Sequence, residues 1–118
     1  MLYNKTSERK IMEKTRVAKS LFSQFKGLMF ERKKSFDYAL VFVLPRESRI
    51  AASIHTFFVF FPIDVVFLDG KKKVAEIVHA LQPFTPLYAP KEKTAYFIEL
   101  PEGKSAGIKK GDILEWQL

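Results

Sequence analysis

The stretch Phe57-Phe58-Val59-Phe60-Phe61-Pro62-Ile63-Asp64-Val65-Val66-Phe67-Leu68-Asp69-Gly70 decides the fold, because aromatic and β-branched residues fill it on both sides of one proline. Residues of these types are enriched in strands. Proline cannot donate to a strand ladder, so Phe61-Pro62 predicts a bend between two strands. Asp69-Gly70 is a typical hairpin turn. We therefore predict strands over 54–61 and 63–68, and a return strand over 74–80.

Similar patterns predict further short strands on both sides of this core. The polar segment Thr6-Ser7-Glu8-Arg9 predicts an N-terminal hairpin between strands 2–5 and 10–13. Pro45 and Pro101 are expected to end two other strands. The remaining strands are predicted over 38–44, 95–100 and 113–118. Between 81 and 90, three prolines exclude any regular element, and 102–106 is compatible with one helical turn.

One helix is predicted, over residues 17–26. Val17, Leu21, Phe25 and Leu28 recur at spacings of four, four and three, which is the pattern of one apolar helix face. Gly27 stands where a helix would end. Seven to nine short strands with this single helix predict a mainly β domain, α+β at the margin. Its architecture would be a compact antiparallel barrel or a strongly curved sheet, with the helix covering one end.

The length of 118 residues and the absence of a linker predict a single domain over 1–118. The chain contains no cysteine, which excludes disulfides, thiolate catalysis and cysteine-ligated metal sites. The charged N-terminus does not have the pattern of a secretory signal. The apolar segment 51–68 contains His55, Pro62 and Asp64, which disfavours a membrane span. We therefore expect a cytoplasmic protein without membrane insertion.

The net charge of +7 is concentrated in the first half of the chain. Residues 1–50 contain twelve Lys and Arg against five Asp and Glu, whereas residues 51–118 contain eight of each. A basic face would attract an anionic partner such as nucleic acid or an acidic protein. The alternative is that the charge only keeps an apolar chain soluble. The candidate contacts for an anionic partner are Lys33, Lys34, Lys71, Lys72 and, for base stacking, Tyr88.

Four blocks of residues resemble one known family. In order they are Gly27-Leu28-Met29-Phe30, Pro62-Ile63-Asp64-Val65-Val66-Phe67-Leu68-Asp69, Tyr96-Phe97-Ile98-Glu99-Leu100-Pro101-Glu102-Gly103 and Gly107-Ile108-Lys109-Lys110-Gly111-Asp112. Together they resemble the bacterial and archaeal family catalogued as domain of unknown function 192. Ile54-His55-Thr56-Phe57-Phe58 is similar to the archaeal variety. The resemblance implies a compact, mostly β domain, and it brings no activity, cofactor or catalytic residue.

His55, Asp64 and His79 are the candidate ligand-binding residues. Two imidazoles and one carboxylate could form an open metal site, or a His–Asp pair could act as a general base. The sequence lacks the HxH and HExxH spacings of metal sites. A structural role for Asp64 is the alternative: a carboxylate in so apolar a segment is costly unless it accepts backbone hydrogen bonds.

No catalytic motif is present, neither a glycine-rich phosphate loop nor a serine nucleophile motif. We therefore predict a binding or interaction module with a basic surface in its first half, without a cofactor or a bound metal. Two alternatives stay open. One is an enzyme or metal-binding protein that uses a pocket of His55, Asp64 and His79. The other is a nucleic-acid-binding protein.

Overall fold

The computed structural model describes residues 1–18, 27–50, 52–56 and 58–117. Within these ranges the chain forms eight strands in two sheets. The strands are β1 (Leu2–Asn4), β2 (Arg9–Met12), β3 (Thr15–Ala18), β4 (Ala39–Ser48), β5 (Ile63–Leu68), β6 (Val74–Leu81), β7 (Thr94–Pro101) and β8 (Leu114–Trp116). The helix content of the described ranges is a single 3-10 turn, Lys33–Ser35, which we call the basic turn.

The large sheet has the strand order β3-β4-β7-β5-β6, and the small sheet has the order β2-β1-β8. β7 is therefore the middle strand of the large sheet, with β4 and β5 antiparallel on either side of it. All six residues of β5 are buried, which requires cover on both faces of the sheet. The sequence run Ile63 to Leu68 is apolar at five of six positions for this reason.

Each face of the large sheet carries its own core. On one face, Val66, Ile98 and Leu100 pack with Leu2 and Leu114 of the small sheet. On the opposite face, side chains of the large sheet pack under loops instead of a second sheet. Those loop residues include Leu28, Phe36, Ala52, Ile54, Val59 and Phe61. We call this second face, on which loops cover the middle strand β7, the loop-covered face.

The predicted mainly β class is confirmed, and so are several strands. β5 has the predicted bounds, and β6 returns antiparallel beside it after the turn at Asp69. The N-terminal hairpin of β1 and β2 is also present. The barrel is wrong, because the described strands form two open sheets. The all-antiparallel prediction is wrong for one pair, since β3 runs parallel to β4.

The helix predicted over 17–26 is not seen. Residues 19–26 lie outside the described residues, and Val17 and Ala18 belong to β3. Val17 pairs with Val41 and Ala18 with Phe42, so the sheet supplies their hydrogen bonds. Tertiary pairing has overridden the local helical spacing at these two positions. No helix of the described ranges is long and apolar enough to cross a membrane.

The strand predicted over 54–61 is wrong. Ile54 makes only an isolated bridge with Tyr88, and the N–H of Val59 turns back to the carbonyl of Thr56. The neighbouring chain is the proline-rich loop 81–90. Prolines in that loop lack the N–H groups that a continuous ladder needs. Aromatic content favoured a strand here, but the described residues of the segment pair with the proline-rich loop at Ile54 and Thr56 without forming a continuous ladder.

Two smaller corrections concern strand ends. β4 continues through Pro45 to Ser48, and its pairing with β7 is irregular between Val43 and Ser48. Proline is tolerated at such an interruption because no ladder donor is lost there. The segment 102–106 forms turns and not a helical turn, with Lys104 N–H bonded to the Pro101 carbonyl.

Candidate functional site

Glu99 lies in the middle strand of the large sheet and is the most unusual charged residue of the described chain. It pairs with Leu40 of β4 and Val65 of β5, and its side chain is only 5% exposed. Successive strand residues point to opposite faces. Ile98 and Leu100 face the small sheet. Glu99 therefore faces the loop-covered side together with Phe97.

A cavity of about 190 Å³ lies above Glu99 on this face. Its lining is mainly apolar, with a few polar groups. The lining residues are Gly27, Leu28, Met29, Phe42, Ser53, Ile54, His55, Val59, Phe97 and Glu99. We call it the Glu99 cavity. Its volume is below the roughly 300–1,000 Å³ typical of sites for drug-sized ligands, so it suits a small molecule.

The carboxyl group of Glu99 is not satisfied by the protein. Its Oε1 atom is buried and has no hydrogen-bond partner among the described residues. Burial raises the pKa of Glu99 to about 8, because the charged form is disfavoured away from water. At neutral pH the group therefore carries its proton and can both donate and accept a hydrogen bond.

His55 lies at the same cavity, in the loop between β4 and β5, and it is half-buried. Contacts with the proline-rich loop position this loop, among them the Ile54–Tyr88 bridge and the Thr56 N–H bonded to the Thr85 carbonyl. The structure thus brings one of the predicted ligand-binding residues to a buried carboxyl group. That carboxyl group belongs to Glu99 and not to Asp64.

Asp64 lies on the opposite face of the large sheet. Its Oδ1 accepts the Ala80 N–H at 2.9 Å. Its Oδ2 accepts the N–H groups of Gly103 and Ser105, both at 3.0 Å, and the Ser105 hydroxyl at 2.5 Å. These bonds join β5 to the end of β6 and to the turn after β7. Asp64 therefore accepts backbone hydrogen bonds as the structural interpretation requires, although the partners differ from the bend and the proline-rich loop that the sequence suggested.

Burial would raise the pKa of Asp64, but its hydrogen bonds have a larger combined effect. The Ser105 hydroxyl and the N–H groups of Ala80, Ser105 and Gly103 together hold its pKa below the usual value. Asp64 is thus a carboxylate at neutral pH. The two buried acids of the large sheet have opposite protonation preferences, because hydrogen bonds lower the pKa of Asp64 whereas burial raises the pKa of Glu99.

His79 joins this network through the Ser105 hydroxyl, which lies 2.7 Å from His79 Nδ1. The hydroxyl proton is donated to Asp64, so Nδ1–H is the donor in the second bond. His55 does not converge with this pair, because it lies at the Glu99 cavity on the other face. Within the described ranges, no three His, Cys, Asp or Glu side chains gather to hold a metal ion.

The candidate residues for an anionic partner lie in two places. Lys33 and Lys34 are exposed on the basic turn. Lys71 and Lys72 lie at the tip of the β5–β6 hairpin, and Lys72 Nζ lies 4.4 Å above the Trp116 ring. Lys33 borders Pro62 before β5, so the two pairs are separated by the length of β5, about 20 Å.

Tyr88 is not the exposed stacking ring that the sequence suggested. It is half-buried, its ring stacks on Phe67 at 5.9 Å, and its hydroxyl donates to Glu76. Burial and this contact with Glu76 raise the pKa of Tyr88 to about 12. The Tyr88 ring is therefore packed against Phe67 and only partly exposed.

Sequence reasoning missed Glu99 and Ser105. A signal for Glu99 was available, because it is the single charged residue of the apolar run Ala95–Leu100. The cost of burying a carboxylate in an apolar segment, which drew attention to Asp64, applies equally to Glu99. Ser105 carried no such signal, since serine is common in turns.

Comparisons with known proteins agree on one family. The model of DUF192, described as uncharacterized ACR, matches residues 3–116. A UPF0127 protein of Pyrococcus horikoshii is 40% identical over 118 residues and covers 98% of both chains. A UPF0127 protein of Thermococcus sibiricus is 38% identical over 120 aligned positions, covering 100% of this chain and 75% of its own.

Two crystal structures share the fold. A protein of unknown function from Novosphingobium aromaticivorans superposes with a TM-score of 0.74 at 24% identity, covering 86% of this chain and 74% of its own. A protein from Sinorhizobium meliloti described as a putative transcription regulator superposes with a TM-score of 0.77 at 22% identity, covering 86% and 79%. At these identities the likeness concerns the fold alone.

Proposed function

The chain belongs to the DUF192 family, and we propose that this member is a non-enzymatic binding module that holds a small ligand in the Glu99 cavity. The observation that carries the proposal is the buried, unpartnered Oε1 of Glu99 at a cavity. An unsatisfied buried polar group costs about 1–3 kcal/mol. A ligand that hydrogen-bonds to Glu99 would recover that cost, which is how buried polar groups in mostly apolar pockets orient ligands.

The chemistry of the cavity favours a small, neutral and largely apolar ligand. The lining offers aromatic and aliphatic surface from Phe42, Phe97 and Leu28. The protonated carboxyl of Glu99 donates well to a carbonyl oxygen and accepts from a hydroxyl or amide. Ser53 and His55 supply further polar groups at the wall. A small amide, alcohol or phenol has the matching pattern.

Ligand binding should depend on the carboxyl group at position 99. We expect neutral amides, alcohols and phenols to shift the backbone NMR signals of Ser53 and Glu99 in the isotope-labelled protein. Glu99→Gln keeps a donor and an acceptor of similar shape and should retain these shifts. Glu99→Leu removes both and should abolish them, while raising the free energy of unfolding by about 1–3 kcal/mol because no buried polar group is left unpaired.

The outcome of Glu99→Leu separates this role from a structural one. If Glu99→Leu loses the NMR shifts and is more stable than the native protein, Glu99 serves ligand binding and lowers the stability of the fold. Lower stability would mean that Glu99 holds the fold. Shifts that persist unchanged in Glu99→Leu would place the ligand elsewhere and contradict the proposal.

An enzymatic alternative at Asp64, Ser105 and His79 is not favoured by the geometry. In a nucleophilic triad the serine donates to the histidine base. Here Ser105 donates to Asp64 and accepts from His79, and Ser105 is fully buried. A substrate could not reach its hydroxyl without opening the turn.

The second candidate function is contact with an anionic partner through the basic turn. Arg32, Lys33 and Lys34 are exposed and form no ion pair within the described part of the chain. Lys10 and Lys14, by contrast, pair with Glu13 and Asp37. Three neighbouring first-half cations without an ion pair among the described residues therefore lie at and directly before this turn.

Nucleic acid is the anionic partner most readily tested. We expect labelled single- and double-stranded DNA to bind only feebly, because Tyr88 is half-buried and its ring stacks on Phe67, which leaves it poorly placed for base stacking. The measurement is a titration at two salt concentrations. The charge-reversal pairs are Lys33→Glu with Lys34→Glu, and Lys71→Glu with Lys72→Glu. Tight, steeply salt-dependent binding that is lost with one pair would instead identify nucleic acid as the partner.

A further inference from the structure

Four phenylalanine rings form a connected group on the protein surface. Phe30, Phe58, Phe60 and Phe84 are 64%, 45%, 59% and 45% exposed. Phe30 stacks on Phe58 with centroids 5.0 Å apart, and Phe84 contacts Phe58 and Phe60 edge-on at 6.1 and 5.4 Å. We call these residues the phenylalanine cluster. Single exposed apolar residues are common, but a contiguous group of large rings is typical of an interaction site.

The backbone holds three of these rings in disfavoured conformations. Phe30, Phe58 and Phe84 have φ values of 65°, 60° and 58°, in the left-handed region that bulky residues rarely adopt. Local hydrogen bonds keep them there: the Phe30 N–H donates to the Phe58 carbonyl and the Phe84 N–H to the Thr56 carbonyl, both at 2.8 Å. Strained backbone of this kind concentrates at functional sites.

Positive charge adjoins the cluster. The basic turn begins three residues after Phe30, and its Lys33 lines a small cleft with Phe61 and Pro62, which directly follow Phe60. Glu102 is the acidic residue of that cleft. The exposed cations Arg32, Lys33 and Lys34 have no acidic ion-pair partner among the described residues. An apolar group of rings thus has a cationic border on one side.

We propose that the phenylalanine cluster and the basic turn dock this protein on an anionic lipid surface. This inference names the anionic partner of the basic turn and does not depend on a ligand in the Glu99 cavity. Phenyl rings inserted among acyl chains lose contact with water, and lysines beside them are attracted to anionic headgroups. Docking of this kind is peripheral and needs no spanning segment.

The arrangement of the rings favours lipid over single-stranded nucleic acid. Base stacking needs ring faces that are free and separated so that a base can lie between or upon them. In the cluster, Phe84 presents edge-on contacts to two neighbours, and Phe30 and Phe58 cover one face of each other. The cluster therefore presents a continuous apolar surface. A continuous apolar surface can insert among lipid acyl chains, because this contact does not need separated ring faces.

Vesicle sedimentation tests the proposal on the full chain. We expect binding to vesicles of phosphatidylcholine mixed with phosphatidylglycerol, and much weaker binding to phosphatidylcholine alone. Phe58→Ser with Phe60→Ser should reduce the affinity for the mixed vesicles about tenfold or more through lost apolar burial. Lys33→Glu with Lys34→Glu should reduce it to a similar extent. Leu87→Ser removes an exposed apolar residue outside the cluster and should bind as the native chain does.

A second measurement covers the case in which the double phenylalanine variant fails to fold. Phe60→Trp keeps an aromatic ring and adds a second tryptophan to Trp116. Compared with the native chain, its fluorescence should show an additional blue shift and additional quenching by brominated lipid in the mixed vesicles. Absence of this additional quenching, or binding to mixed vesicles that is equal in all variants, would overturn the proposal. Binding to DNA that is lost in both double variants, or a dimer that the phenylalanine variant dissociates, would overturn it in favour of that partner.

Discussion

Glu99→Gln is expected to be more stable than the native protein at pH 8 and nearly equal to it at pH 4. The physical reason is the buried carboxyl group in the middle of the large sheet, whose pKa burial raises to about 8. In the unfolded chain the same group ionises with its ordinary pKa of about 4.3. Glutamine does not ionise in this pH range, so the stability of the variant lacks the pH dependence that Glu99 causes.

The sign of the effect is set by proton uptake on folding. Between about pH 4.3 and 8 the folded state holds a proton on Glu99 that the unfolded state has released. The free energy of unfolding of the native protein therefore falls as pH rises through this window. The slope that belongs to Glu99 approaches about 1.4 kcal/mol per pH unit. This is the largest single effect that we expect from a substitution of similar shape.

Denaturant unfolding of both proteins from pH 4 to 8 measures the difference. Glu102→Gln is the matched control, because Glu102 is an exposed carboxylate a few residues further along the chain. Its pH profile should parallel that of the native protein. A Glu99→Gln profile that also ran parallel would mean that water reaches the carboxyl group and that its pKa is ordinary.

Asp64→Ala is expected to lower the free energy of unfolding by at least about 3 kcal/mol. Asp64 accepts hydrogen bonds from three backbone N–H groups and one hydroxyl. Each buried donor that loses its partner costs about 1–3 kcal/mol. The substitution also frees the turn after β7 from β5. Denaturant or thermal unfolding at pH 7 gives the magnitude.

Asp64→Asn should fall between the native protein and the alanine variant. Both carboxylate oxygens of Asp64 face donors, and an amide can offer only one oxygen. With that oxygen towards Gly103 and Ser105, the amide nitrogen would oppose the Ala80 N–H. Ser105→Ala removes the hydroxyl alone and should cost about 1 kcal/mol. Equal, negligible losses in all three variants would show that Asp64 is hydrated and does not hold the turn.

The pH dependence of the Asp64 contribution has the opposite sign to that of Glu99. The pKa of Asp64 is lowered in the folded state, so its contribution is fully present above the unfolded value of about 3.9. It is lost as pH falls through the folded pKa. The native protein should therefore lose stability in acid by more than Asp64→Asn does.

Strands with a clear local signal were predicted well. β5 is a run of β-branched and aromatic residues between a proline and an Asp-Gly turn, and its bounds follow from those two neighbours. The hairpins required only local turn chemistry. The helical spacing of Val17 was misleading, because β3 pairs with a strand more than twenty residues further along the chain. Spacing within a segment carries no information about a distant partner.

The candidate site was predicted in part. The free-energy cost of burying a carboxylate correctly drew attention to Asp64. In the folded protein, backbone N–H groups and the Ser105 hydroxyl donate hydrogen bonds to it and offset that cost. The grouping of His55, Asp64 and His79 relied on nearness in the sequence, whereas the large sheet separates His55 from the other two. Exposure of the phenylalanines was also not predictable, since Phe58 and Phe61 have the same side chain and opposite environments.

By itself the sequence determined the β class, the central hairpin, the family resemblance and the excess of positive charge in the first half. These properties follow from composition, local turn chemistry and order along the chain. Only the tertiary structure decided that both oxygens of Asp64 have donors, whereas Oε1 of Glu99 has no partner among the described residues. Both are single acids in apolar strands, and their difference lies in what covers each face of the sheet: the turn after β7 supplies donors to Asp64, and the loops over the other face leave Oε1 of Glu99 without one among the described residues. Burial and hydrogen bonding are set by neighbours distant in sequence, so they exist only once the chain has folded.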